Sequence, residues 1–304
     1  MKHYDETVAR RALALWPDTR DDLAHLGTSG NAVYRVVAGG ASAVLRLTHD
    51  AWRAPAQNEA ECAFLAHAAR VGARVHAPIA SRSGLLVEKV DDATASVFTW
   101  AHGDLIGPGD PRRTEPFFRE WGRALAELHH AAETYDGPPR FDWRDEGLIA
   151  DAESILPATD HAVRAELAEA RARIEALPAT RANYGHTHAD FGPQNFRLAP
   201  DGRITAIDFG NCCRHWYVMD LAISLSTLRR DPDRARWKDA IVRGYTGVRP
   251  LDPASWAELD AFLRLRIAYV YLSRLLWFGD DPTAEQRAVL ATLRAAVLER
   301  FAWT

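Results

Sequence analysis

The chain has 304 residues, room for two lobes, and its 47% hydrophobic and 26% charged content is that of a globular protein without a long disordered tail. A formal net charge of -4 gives no electrostatic pull toward nucleic acid or an anionic membrane, so neither is expected as a partner. Three cysteines (Cys62, Cys212, Cys213) are too few for a disulfide framework, the start "MKHYDETVARR" is no secretory leader, and no uncharged apolar run approaches the ~20 residues of a membrane helix. A soluble, cytoplasmic protein is expected.

In chain order, the first third reads as short strands around one helix. "NAVYRVV" and "SAVLRL" are β-rich runs separated by "AGGA", a turn by composition. "QNEAECAFLAHAARVG" is helical and stops at Gly72, as a C-cap should. "GLLVEKV" and "ASVFTW" are two further strands. After "AHGD" the pattern turns helical: in "PRRTEPFFREWGRALAELHHAAETY", Phe117, Trp121, Leu125 and Leu128 share one face. A more polar helix is predicted over 151–177, short strands and loops over 187–209, and helices from there to the end. A strand-rich front and a helix-rich back, joined near Trp100–Gly103, predict an α+β molecule of two lobes, 1–102 and 103–304, with a cleft between them.

The chemistry concentrates in "YGHTHADFGPQNFRL", residues 184–198, which admits two readings. His186-x-His188-x-Asp190 could open a dinuclear metal site. Such a site usually adds a His after the Asp, where Phe191 stands, and needs further ligands downstream, where His215 is the sole histidine. The alternative is a phosphate-transfer loop, which requires an Asn five residues after the Asp and another Asp at a following strand end. Asn195 and Asp208, in "RITAIDFG", satisfy both. In this reading Asp190 orients the attacking hydroxyl and accepts its proton, and His188 is counted with the catalytic loop, bracing it rather than reacting. Asn195 and Asp208 supply hard oxygens suited to Mg2+.

"HADFGPQN" followed by "IDFGNC" resembles the aminoglycoside phosphotransferase and choline kinase-like family, relatives of the protein kinases. The likeness extends over nearly the whole chain, through "LGTSGNAVYRV", "VLRL", "EAECAFLAHAARVGARVHAPI", "VFTWAHGD" and "WGRALAELHH". The resemblance implies a bilobal protein-kinase-like fold, with a small β-rich N-lobe and a larger helical C-lobe. It also implies ATP in the cleft and transfer of the γ-phosphate to a small-molecule hydroxyl.

A front lobe holding ATP needs a loop over the phosphates, a cation on them and an acid to position that cation. "GTSGN", Gly27 to Asn31, is the loop candidate: Gly27 and Gly30 leave backbone amides free to approach oxygens, and Ser29 and Asn31 are counted with them. Arg46 in "AVLRL" stands where a kinase lysine would, and a guanidinium can serve phosphate as well. Its partner is Glu61 rather than Glu59, because Glu61 shares the apolar stripe of Phe64, Leu65 and Ala68, where a carboxylate needs a cation. "FTWAHGD" resembles the family's interlobe hinge, where backbone around Trp100, Ala101 and His102 would read the adenine edge.

Eleven residues separate Asp208 from Asp220, which reads as the cap of the next helix. That leaves no room for a protein-kinase activation segment and favours a small-molecule acceptor. A long helix over 254–278 places Arg266, Tyr269, Val270, Ser273 and Trp277 on one face, with Arg264 and Arg274 nearby. These arginines either pair with acids of neighbouring helices or face the cleft. In the cleft they would disfavour a polycationic aminoglycoside and suit an acceptor with a carboxylate or phosphate, or a neutral sugar-like one. A protein-phosphorylating enzyme and a nucleotide-binding regulator without turnover are the rival functions.

Overall fold

The computed structural model describes residues 6–299, apart from the side chains of Asp21, Thr28 and Ser29. The chain opens with α1 (Glu6–Leu13), absent from the sequence expectation because eight residues give too short a period to read. Three antiparallel strands follow, β1 (Arg20–Ser29), β2 (Asn31–Ala38) and β3 (Ala41–His49). "GTSGN" is therefore not an open loop: Gly27 to Ser29 end β1, and Ser29 and Asn31 pair across a tight turn at Gly30. Helix α2 (Pro55–Arg70) starts with proline at its first turn, where the missing N–H costs nothing, and stops before Gly72 at φ +100°. The sheet is completed by β4 (Pro78–Ile79), β5 (Glu88–Val90) and β6 (Ala93–Thr99) in the order β1-β2-β3-β6-β4, with β5 also on β6. Of the expected strand "GLLVEKV" only its last three residues pair.

Alternation along these strands builds two cores. Tyr34, Val36, Leu45 and Leu47 pack with Trp16 in a small apolar cluster beneath the sheet. Phe64, Leu65 and Phe98 belong instead to the large cluster that continues into the helical part. The connection is close. Gly103 has φ +116°, and a Cβ there would lie 2.3 Å from the Leu198 carbonyl oxygen, so only glycine allows Asp104 and Leu198 to exchange backbone hydrogen bonds of 3.0 and 2.9 Å.

The helical part begins with α3 (Glu115–Glu133), whose Phe117, Trp121, Leu125 and Leu128 are buried as the periodicity requires. The helix expected over 151–177 is broken. After α4 (Gly147–Ala150) and α5 (Ala152–Ile155), Pro157 interrupts it, and α6 (His161–Glu175) restarts with Asp160 capping the Val163 amide. Two short hairpin-like ladders carry the loops of interest: β7 (Tyr184–Thr187) pairs with β10 (Cys213–Trp216), and β8 (Phe196–Leu198) with β9 (Ile204–Ala206). Helices α7 (Val218–Ser226), α8 (Arg234–Thr246), α9 (Pro253–Ala257), α10 (Leu259–Phe278) and α11 (Ala284–Leu298) complete the lobe. The expected helix over 254–278 is thus two, divided at Glu258. An α+β, two-lobed molecule results, as the sequence implied.

Helices α3 and α8 touch backbone to backbone through two glycines. A Cβ on Gly244 would sit 1.9 Å from the Arg119 carbonyl oxygen, and one on Gly122 the same distance from that of Ile241. Gly244→Ala should therefore destabilise the protein by about 1–3 kcal/mol despite alanine's better helix propensity, because backbone rather than a flexible side chain must move. Urea unfolding midpoints of the two proteins measure it.

Candidate active site

The turn between β7 and β8 is held from below. Asp220, in the first turn of α7, is fully buried, and its carboxylate accepts the amides of His188 (2.7 Å) and Ala189 (2.8 Å). It does not cap its own helix, as the sequence suggested; Tyr217 occupies the cap position. Ala189 is at φ +60°, a left-handed conformation costing a non-glycine residue about 1–2 kcal/mol, and the Asp220 bond to its amide fixes it there. Asp220 also receives His129 Nε2 (3.1 Å), whose Nδ1 meets the Tyr245 hydroxyl (3.0 Å), which in turn accepts Arg249 (2.5 Å). Burial lowers the pKa of His129, so this neutral ring donates an ordinary hydrogen bond. Burial alone would raise Asp220, but these donors outweigh it and hold the carboxylate below its usual range.

The loop so fixed presents Asp190. Its Oδ2 accepts Asn195 Nδ2 (2.9 Å), which also reaches the Asp190 carbonyl oxygen (2.8 Å), and its Oδ1 accepts Arg266 Nη2 (2.7 Å) from α10. His188 turns away from Asp190: its Nε2 contacts the Ile207 carbonyl (2.9 Å) and its ring lies against Phe209 (4.4 Å). Asp208, at φ +60°, has no hydrogen bond or ion pair among the described residues.

Asn195 and Asp208 both line a cleft of about 300 Å3 between the sheet and the helical part. Leu26, Val33, Val44 and Ile207 give it apolar walls, and Gly27, Asn31, Arg46, Trp100 and Ala101 line it too. Arg46 Nη1 binds Glu61 (2.6 Å), whereas its Nε and Nη2 are buried without a partner. Glu61 is the acid on Arg46; Glu59 is exposed. Burial would raise the Glu61 pKa, and Arg46 with Arg140 reverses that, holding it low. The Asn31 Oδ1 accepts the Thr48 hydroxyl (2.8 Å). Gly30 sits outside the cleft lining, against the Trp52 ring. The Ser29 side chain lies outside the described residues. His102 is exposed and lines a separate surface depression with Gly103 and Asp104.

Several residues escaped the sequence reading. Arg140, from the loop after α3, donates to Glu61 Oε2 (2.7 Å), to the Phe209 carbonyl (2.9 Å) and to that of Gly210 (3.1 Å). No local pattern marks it. Beside Ala189 and Arg266, a small pocket of about 40 Å3 is lined by Trp143, Glu146, His215 and Tyr269 among others, and Arg53 approaches Glu146 to 3.8 Å. The arginines of α10 divide. Arg264 pairs with Glu166, Glu169 and Asp260, Arg274 stacks on Trp277, and Arg266 alone of the three reaches Asp190. In the dinuclear metal alternative His186 would be a ligand, but its Nε2 accepts the Arg140 amide and its ring stacks on Phe64.

A strand-rich lobe, a helical lobe and a cleft lined by Asn195 and Asp208, with Asp190 hydrogen-bonded to Asn195, define a kinase-like phosphotransferase. The chain belongs to the phosphotransferase enzyme family, whose model matches residues 24–262. It is 28% identical over 310 residues to amicoumacin kinase of Bacillus subtilis (strain 168), covering 96% of this chain and 91% of that one. It is 31% identical over 217 residues to homoserine kinase of Caulobacter sp. (strain K31), covering 67% and 65%. Its fold is that of an amicoumacin kinase solved with AMP-PNP, Ca2+ and Ami, at a TM-score of 0.90 and 23% identity over 99% of this chain and 95% of that one. The protein is an ATP-dependent small-molecule kinase that phosphorylates a hydroxyl. No helix among the described residues is long and apolar enough to cross a membrane.

The Asp220 network yields a stability prediction. Asp220→Asn should cost about 3 kcal/mol, since a buried amide cannot accept two backbone N–H bonds and an imidazole N–H as a carboxylate does. In the parent, this contribution is complete above the unfolded-state value near pH 4 and is lost as pH falls through the lowered folded-state value. Thermal melts across the acid range should show a shallower pH slope in the variant.

Proposed function

We propose that Asp190 is the base, that Asn195 and Asp208 hold Mg2+, and that Arg46, positioned by Glu61, binds the phosphates. The observation carrying this is that one cleft is lined by an unpartnered Asp208, a buried Arg46 with two orphaned guanidinium nitrogens, and Asn195, whose amide holds Asp190 at 2.9 Å. The donor set fits the metal: Asn195 spends its N–H bonds on Asp190 and leaves its amide oxygen free, and Asp208 adds a carboxylate. Two hard oxygens suit an ion that takes its remaining ligands from phosphate and water. When bound, Mg2+ neutralises charge on the transferring group.

In the reaction, the acceptor hydroxyl donates its hydrogen bond to Asp190 and its oxygen attacks the γ-phosphorus. The new O–P bond forms as the bond to the β-phosphate oxygen breaks, ADP leaves, and the hydroxyl proton passes to Asp190. Residues 1–102 are assigned to nucleotide binding and 103–304 to the catalytic loop and acceptor, with His188 bracing that loop and backbone at Trp100 and Ala101 meeting adenine. We place the reaction in the cytoplasm, where ATP is supplied and where three buried free thiols are stable. A polycationic aminoglycoside is not favoured, because Arg266 stands on Asp190 itself and Arg53 stands beside Glu146 of the pocket that Arg266 lines. Relatives named for amicoumacin and homoserine set the range of acceptors.

Asp190→Asn should keep the fold and ATP binding yet lower kcat by about 10²–10⁴-fold, and parent-like turnover would remove Asp190 as the base. Activity should require Mg2+ or Mn2+, with Asp208→Ala losing metal-dependent ATP binding in calorimetry. Activity that tolerates removal of both ions would defeat the metal assignment.

A further inference from the structure

Both Asp190 oxygens are engaged before any acceptor arrives, Oδ2 by Asn195 and Oδ1 by Arg266. A hydroxyl bound for Asp190 must compete with a guanidinium at 2.7 Å. Arg266 is half-buried over Tyr269, and its Nε has no partner. Its neighbours share that deficit. Trp143 Nε1 and His215 Nε2 are buried and unpaired, and both residues line the same pocket. The His215 Nδ1 accepts the Trp216 amide (2.8 Å), and burial pushes the ring pKa down to about 3, so the neutral ring carries its proton on the unpaired Nε2. Arg53, whose Nε has no hydrogen-bond partner, stands across from Glu146, with its Nη2 3.8 Å from that carboxylate. The acids are already served: Glu146 caps the Leu148 amide (2.8 Å), with Arg53 and Tyr269 beside it. Donors are in surplus and acceptors are spent. Such a pocket calls for oxygens from its ligand.

We propose that Arg266 determines acceptor specificity: it selects a hydroxyl compound with a carboxylate near the reacting hydroxyl, and that carboxylate draws Arg266 off Asp190 to free the base. This rests on the phosphotransfer reading and narrows its acceptor. A carboxylate offers the fork-like geometry a guanidinium prefers and satisfies the orphaned donors together. An ammonium would meet acids whose places are taken. Without acceptor, Arg266 keeps Asp190 occupied, which also restrains transfer to water.

The test compares matched acceptors differing by one carboxylate, with Mg2+ and ATP and ADP release as readout: homoserine against aminopropanol, serine against ethanolamine, glycerate against ethylene glycol. In the parent, kcat/KM should favour the acid of at least one pair by about tenfold or more. Arg266→Ala should abolish that preference mainly through KM, and should raise acceptor-independent ATP hydrolysis severalfold. Arg266→Lys should restore part of the preference, an effect that mere structural support would not produce. Arg266→Gln serves if the alanine variant does not melt cooperatively. Equal turnover within every pair, a preference that survives Arg266→Ala, or no turnover of any acid would overturn the proposal. Asp190→Asn, assayed on the same acceptor-independent hydrolysis, separates that failure from failure of the phosphotransfer reading, which predicts loss of hydrolysis whatever the acceptor.

Discussion

The organisation of the cleft depends on one buried carboxylate. Glu61 is fully excluded from water on α2, with Arg46 of β3 on one oxygen and Arg140 of the helical lobe on the other. An unpaired charge in that position would cost several kcal/mol, so the fold must bring both guanidinium groups to it. Each partner carries the constraint onward. Arg46 is pinned with two nitrogens to spare beside the cleft, and Arg140 grips the carbonyls of Phe209 and Gly210, next to Asp208. One acid thus sets the separation between Arg46 on the sheet and Asp208 on the helical lobe. Such a pair is a poor source of net stability, since its desolvation offsets much of its attraction. Its value lies in the geometry it enforces.

Asp220 does for the helical lobe what Glu61 does for the junction. It fixes two consecutive amides, one on a strained left-handed Ala189, and passes that restraint through His129 and Tyr245 to Arg249. Strain at Ala189 and Asp208 persists because such networks over-determine the backbone there. Asp190 is therefore delivered by a rigid support rather than by a flexible turn, as the role of base proposed for it would require.

Legibility in the sequence followed locality. Elements of regular period, such as α2 and α3, were readable, and Glu61 could be separated from Glu59 because only one of them shares a stripe with Phe64 and Leu65. The grouping of Asp190, Asn195 and Asp208 was readable because their spacing is short. Breaks at Pro157 and Glu258 were missed, since apolar period continues across a kink that only three-dimensional packing reveals. Gly27 to Ser29 were read as loop although cross-strand pairing with β2 makes them strand. Arg140 and the buried role of Asp220 had no local mark at all: their partners lie 79 and 91 residues away, and ion pairing at that separation leaves no period in sequence.

The long-range pairings also decide what helix α10 contributes. Arg264 and Arg266 are two positions apart, about 200° around the helix, so they cannot serve the same surface. Arg264 faces α6 and is consumed by three carboxylates, a stabilising role that composition alone would assign to any helix arginine. Arg266 faces the loop after β7, where the acid it meets is Asp190, the base in the proposed reaction. An ion pair placed there is retained at the expense of ready access to Asp190. The simplest physical account is that the ground state without acceptor is meant to be quiet, and that the compound which activates the site carries its own counter-charge for Arg266.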